Sequence, residues 1–199
     1  MNLIFAPHID DDVIGCGGIL DSSCFVLFCG VQDFHIVSRE NRLEELRNVS
    51  KFFGFDYQVI DKDEVNHYDM HSYISVFEDV INRVRPDKVY VPFKSYNQDH
   101  QQIHDAAMVA LRPHDRNFFV NKVLIYEEPD CFWGDNKYCV NHFVKIDIER
   151  KIKGNSLYES QVRGHRSPEH LRSLASLRGM QSNFDYAEAF IIYRWIDGN

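Results

Sequence analysis

Residues able to do chemistry are concentrated early in this chain, at His8-Ile9-Asp10-Asp11-Asp12. Three adjacent carboxylates repel one another unless a cation or solvent offsets them. An imidazole beside carboxylates is a donor set suited to a borderline divalent metal. The same residues also fit a solvated acidic loop, and local chemistry leaves both readings open. A second group follows at Asn97-Gln98-Asp99-His100, with His104 four residues further on. A metal site that does chemistry takes three protein ligands and keeps a position open. His8, Asp10 and Asp11 offer candidates in the first group, and His100 is the natural further ligand in the second.

Both groups sit where a strand gives way to a helix. Leu3 to Ala6 is a short apolar run, read as a buried strand. Val13-Ile14-Gly15-Cys16-Gly17-Gly18 then leads into a helix over about 13–20. Lys88 to Phe93 is another strand, and a helix is expected from Gln101 to Leu111. In open α/β sheets, ligands bind outside the carboxyl ends of the strands. Further strands are expected at 24–29, 57–60, 123–126 and 143–147, with a last one through 186–195. Helices are expected at 39–53, stopped by Gly54, then at 73–84 and 149–160. Strands alternating with helices predict one α/β domain over residues 1–199, a Rossmann-like three-layer sandwich. Its central sheet is mainly parallel, with about five strands plus a C-terminal strand.

The 199 residues are 44% hydrophobic and 26% charged, with a net charge of −8. That balance argues against a nucleic-acid partner. No apolar run approaches a membrane span. The five cysteines form no Cys-x-x-Cys pair, which points to reduced, packed thiols and a cytoplasmic location. A nucleotide-binding reading of Gly15-Cys16-Gly17-Gly18 is disfavoured, because the spacing is not Gly-x-Gly-x-x-Gly and three aspartates precede it. A homo-oligomer is compatible with the pattern.

His8-Ile9-Asp10-Asp11-Asp12, with the Val13 to Gly18 continuation, resembles the His-Pro-Asp-Asp-Glu signature of the PIG-L/LmbE-like family of zinc-dependent N-deacetylases. Ile9 replaces the usual proline and Asp12 the usual glutamate. Arg42-x-x-Glu45, Asn97-Gln98-Asp99-His100, Leu157-Tyr158-Glu159-Ser160-Gln161 and Tyr186-Ala187-Glu188-Ala189-Phe190 echo later family segments in order. The resemblance implies Zn2+ held by His8, Asp11 and His100, with Asp10 as general base. It implies hydrolysis of the N-acetyl group of an N-acetylglucosamine-type sugar or its conjugate, releasing acetate and an amine. Arg42 is implied near the substrate, where spacing alone suggests a surface ion pair. Asn97 replaces a histidine of the family. It can hydrogen-bond an oxyanion but cannot deliver a proton, which keeps two alternatives open: removal of another acyl group such as formyl, or zinc binding without catalysis. Asp99 is expected either to orient a ligand imidazole or to cap the following helix. His104 is a possible acid or outer partner, with a structural role favoured, and His142 and His165 are further possible proton donors.

Two surface expectations complete the reading. Arg163, His165, Arg166, His170, Arg172 and Arg178 form a basic cluster, either a solvated helix and loop or a lid over an anionic substrate group. Phe132, Trp133 and Tyr138 are expected either to wall a sugar site or to pack a loop.

Overall fold

The computed structural model describes residues 1–31, 37–60, 64–113, 115, 117–129 and 139–198, without the side chain of His165. Its centre is a seven-stranded sheet in the order β3-β2-β1-β4-β5-β7-β6. The strands are β1 (Asn2–Ala6), β2 (Cys24–Phe28), β3 (Asp56–Val59), β4 (Lys88–Pro92), β5 (Lys122–Tyr126), β6 (His142–Lys145) and β7 (Ala187–Trp195). The first five strands pair parallel. β7 runs antiparallel to β5, and β6 antiparallel to β7. The expected C-terminal strand is therefore present and reverses direction, and the short run at 142–145 forms the sheet edge beyond it.

β1 is buried on both faces, as an apolar run in a parallel sheet should be. Leu3 and Phe5 face one layer, with Tyr73, Phe77, Val80 and Ile81 of α3 (Met70–Val84) and Ile103, Ala106 and Ala107 of α4 (Gln98–Ala110). Ile4 and Ala6 face the other, with Val13 and Cys16 of α1 (Asp11–Cys16) and Leu46, Val49 and Phe53 of α2 (Arg39–Phe53). Alternate side chains of one strand thus fill two cores, which makes the architecture three-layered. Gly54 ends α2 in the left-handed conformation at φ 89°, as its position required. α5 (Ile148–Ser156) packs beside α1 and α2.

Two boundaries differ from expectation in ways that matter. α4 begins at Gln98, which places Asp99 and His100 inside its first turn. The basic stretch after Gln161 contains a 3-10 turn (Gly164–Arg166) and a full helix, α6 (Pro168–Ser182). Ser167 caps α6 by accepting from the His170 N–H, and Pro168 occupies its first turn. That Ser-Pro start is a helix signal, masked here by the surrounding charge. No helix among the described residues is long and apolar enough to cross a membrane.

Candidate metal centre

β1 and β4 are neighbours, and the connections from them leave in opposite directions, β1 toward β2 and β4 toward β5. The crevice between their carboxyl ends is the topological switch point of the sheet. His8 leaves β1 at this point and His100 lies in the helix after β4. His8, Asp11 and His100 offer ligand atoms all within 4.8 Å of one another. Asp11 and His100 are buried, and His8 is partly exposed.

Each imidazole presents one nitrogen to Asp11 and the other to a second carboxylate. His8 Nδ1 lies 3.2 Å from Asp11 Oδ2, and its Nε2 lies 2.9 Å from Asp99 Oδ2. His100 Nε2 lies 3.3 Å from Asp11 Oδ2, and its Nδ1 faces Glu128 Oε1 at 3.7 Å. Outer carboxylates of this kind fix the orientation of a ligand imidazole and raise its basicity. Asp11 Oδ1 is buried without a hydrogen-bond partner among the described residues. A buried carboxylate oxygen left unpaired beside two imidazoles fits a divalent cation that would supply the missing partner.

Electrostatics follow the geometry. Burial pulls the His8 imidazole down, but Asp11 and Asp99 outweigh it and carry His8 up to about 9. Burial likewise works against the Asp11 carboxylate, yet His100 and His8 hold it well below the usual range. Without metal the cluster is thus a tight charge pair in which a proton occupies part of the place a cation would take.

The motif turn is strained. Asp10 is a non-glycine residue at φ 138° and ψ −24°, and its carbonyl accepts the Val13 and Ile14 N–H groups that open α1. Its carboxylate is 1% exposed. Arg166 Nη1 donates to Oδ2 at 2.6 Å, and Oδ1 has no partner among the described residues. Burial, despite Arg166, leaves Asp10 above the ordinary carboxylate range. Asp12 points the other way, where Tyr158 Oη donates to its carboxylate.

The other expected residues take varied places. Asp99 orients an imidazole, but that of His8 rather than of its neighbour His100. It also accepts from the Asn66 N–H at 2.7 Å. It does not cap α4: Asn97 does, its Oδ1 accepting the Asp99 N–H at 2.9 Å. Arg42 is 1% exposed and donates to Glu45, Ser160 and the carbonyl of Ile9, which makes it a brace behind the motif. His104 lies on α4 with Nδ1 2.8 Å from the Pro92 carbonyl, outside the cluster, and burial draws its pKa down. His142 lies on β6 against Phe190 and Trp195. Phe132, Trp133, Tyr138 and the His165 side chain lie outside the described residues.

The basic cluster is largely neutralised. Arg172 pairs with Glu149, Arg178 with Glu127 and Arg166 with Asp10. The sequence left Arg166 either on a solvated helix and loop or in a lid, and gave no role to Glu128. Glu128 closes β5 beside Pro129, and only the strand order brings it to His100.

No family model matches the chain, and no curated protein does. Solved structures do. The conserved protein TT1542 from Thermus thermophilus is 21% identical, with 100% of this chain and 96% of that one covered at a TM-score of 0.82. The N,N'-diacetylchitobiose deacetylase from Pyrococcus horikoshii is 19% identical, with 97% and 83% covered at 0.76. The 4-carboxy-2-hydroxymuconate hydratase GalB from Pseudomonas putida is 19% identical, with 100% and 98% covered at 0.79. The fold is shared. It carries a deacetylase in one relative and a hydratase in another, so the activity has to be argued from the site.

Proposed function

We propose that this protein is a metal-dependent amidohydrolase that removes the N-acetyl group from an N-acetylglucosamine-type sugar or its conjugate. The observation that carries the reading is the convergence of His8, Asp11 and His100, each imidazole backed by a carboxylate. Those three residues would hold Zn2+. When bound, the metal supplies Lewis acidity and lowers the pKa of a water molecule.

The remaining work falls to side chains. Asp10 is adjacent to a ligand and outside the ligand cluster, so its carboxylate is available for proton transfer. Its unpartnered Oδ1 is the atom that takes a proton from attacking water and returns one to the departing amine. Asn97 borders the site through the N-cap of α4. With its Oδ1 engaged there, its amide N–H is the group left for an acyl oxygen. Arg42 supports the substrate site from behind, through Ile9. Similarity to the diacetylchitobiose deacetylase supports an acetylated amino sugar as the substrate class.

A second reading is favoured by the hydratase of the same fold and by a histidine position held by Asn97. It has the same residues add water to an unsaturated carboxylate, with no amide cleaved. Hydrolysis of a formyl group, or metal binding without turnover, are further outcomes of the same experiment. Acetate and formate release from a panel of N-acylated amino sugars, together with hydration of unsaturated dicarboxylates, is measured on zinc-loaded wild type and Asp10→Asn. Acetate release that Asp10→Asn loses by at least about 10²-fold, with zinc retained, supports the deacetylase reading. Hydration without acyl release refutes it.

A further inference from the structure

We propose that Arg166 is a positioning residue for Asp10, acting through a clamp formed by residues 158–166 on the motif turn. The inference rests on the amidohydrolase reading and concerns how its proton-transfer group is held.

Three features of the motif are held by residues 158–166 and their partners, two of them by one continuous network. Tyr158 Oη donates to both oxygens of Asp12 at 3.1 Å. Arg166 Nη1 donates to Asp10 Oδ2 at 2.6 Å and to Gln161 Oε1 at 3.2 Å. Gln161 Nε2 donates to the carbonyl and hydroxyl of Ser160. Ser160 is fixed by Glu45, which accepts its N–H and its Oγ–H, each at 2.8 Å. Arg42 then joins Ser160 and Glu45 to the Ile9 carbonyl. The hydrogen bonds run from the Ile9 carbonyl round to the Asp10 carboxylate, so backbone and side chain of the strained turn are held together.

Arg166 donates the hydrogen bond that fixes the Asp10 carboxylate. Asp10 makes no capping bond to its own helix. Its backbone conformation is one that L residues rarely adopt, so the turn persists only where its surroundings hold it. The clamp end is itself anchored: Asn155, 2% exposed on α5, donates to the Arg166 carbonyl at 3.1 Å. The neighbouring Arg172 and Arg178 bond to Glu149 and Glu127, away from the motif. A carboxylate buried with one oxygen bonded and the other bare is a poor choice for stability alone. It suits a group whose bare oxygen must meet a substrate in one orientation.

Arg166→Ala, Arg166→Lys, Asp10→Asn and the Arg166→Ala/Asp10→Asn double variant test the proposal. The readouts are kcat and KM on the amino sugar with the highest turnover, zinc content and thermal unfolding. Misplacing a reacting group by about 1 Å loses rate by roughly 10²-fold. Arg166→Ala is therefore expected to lower kcat about 10²-fold, with KM within about threefold and zinc retained. Arg166→Lys keeps the charge without the planar fork and should recover part of that loss. Added guanidinium should restore kcat at least about tenfold, by filling the vacated place, and should do nothing for the double variant. Arg166→Ala also leaves Asp10 buried without a partner, which lowers Tm by about 5 °C, and Asp10→Asn in that background recovers about half or more. Unchanged kcat in Arg166→Ala overturns the proposal, and so does a raised KM at constant kcat, which would make Arg166 a substrate contact. If wild type cleaves no acyl amide, the amidohydrolase reading fails. The unfolding cycle then decides the pairing separately, and additive Tm changes refute it.

Discussion

Asp99→Asn isolates what the carboxylate behind His8 does, because it changes charge and hydrogen-bond capacity with little change in shape. Asp99 is fully buried, with Oδ2 2.9 Å from His8 Nε2 and 2.7 Å from the Asn66 nitrogen. An asparagine oxygen in the place of Oδ2 still accepts from both groups, so the substitution removes the charge and turns an NH2 toward the Tyr68 N–H, which lies 3.5 Å from Oδ1. Loss of such an outer carboxylate weakens metal binding by about 10–100-fold, or about 1.4–2.7 kcal/mol. A second effect opposes it. His8 is carried up to about 9 partly by Asp99, so at neutral pH a metal must first displace a proton from wild type. Removing Asp99 lowers that competition. The affinity deficit should therefore be small at about pH 7 and widen to about 10–100-fold at about pH 9, where proton competition has faded from both proteins. Competitive chelator titration with Zn2+ across that pH range measures the ratio. A ratio within about threefold at the alkaline end, or one that shrinks as pH rises, would refute the assignment of Asp99 as the partner of a ligand imidazole.

Three further outcomes are expected. In chelator, stability should fall as pH rises. The folded pKa of His8, about 9, lies above its unfolded 6.5, so its contribution of about 3 kcal/mol is complete below pH 6.5 and lost through pH 9. Asp12, which burial pushes up to about 8 against the Tyr158 hydrogen bond, adds the same sign, and a Tm that stays flat from about pH 6 to about pH 9 would contradict both. Gly15→Ala would place a Cβ 2.2 Å from the Tyr126 ring, where the α1 backbone lies directly on β5. Overpacking of that kind destabilises by about 1–3 kcal/mol, readable in denaturant titration, and wild-type stability would show that the ring moves freely. Lys151 donates to the Ile14 carbonyl and to Glu188, both at 2.7 Å, in a buried pair. Lys151→Met should destabilise by about 3 kcal/mol, and adding Glu188→Gln should recover much of it; additivity in chemical unfolding would show that the pair is not coupled.

The features legible along the chain were local ones. Apolar runs long enough for a strand, the Gly54 stop and the amphipathic spacing of residues 73–84 depend on neighbours in sequence, and these elements formed where expected. That His8, Asp11 and His100 could serve together as a donor set was also legible, because a metal needs particular donor atoms and few residue types carry them. Adjacency, by contrast, came from the fold. β4 lies beside β1, so His100 reaches the motif that begins at His8 although β2, β3 and β4 intervene in sequence. β5 lies beside β4, which brings Glu128 to His100. Asp99 bonds an imidazole 91 residues away rather than the one next to it, because consecutive residues on a helix point in different directions. The basic stretch shows the same limit most clearly. Its sequence shows four arginines and two histidines near one another, and charge along a chain carries no record of its partners. Folding gives Glu149 to Arg172, Glu127 to Arg178 and Asp10 to Arg166, and so decides between a free cationic surface and paired braces, one of which ends on the residue proposed to move the proton.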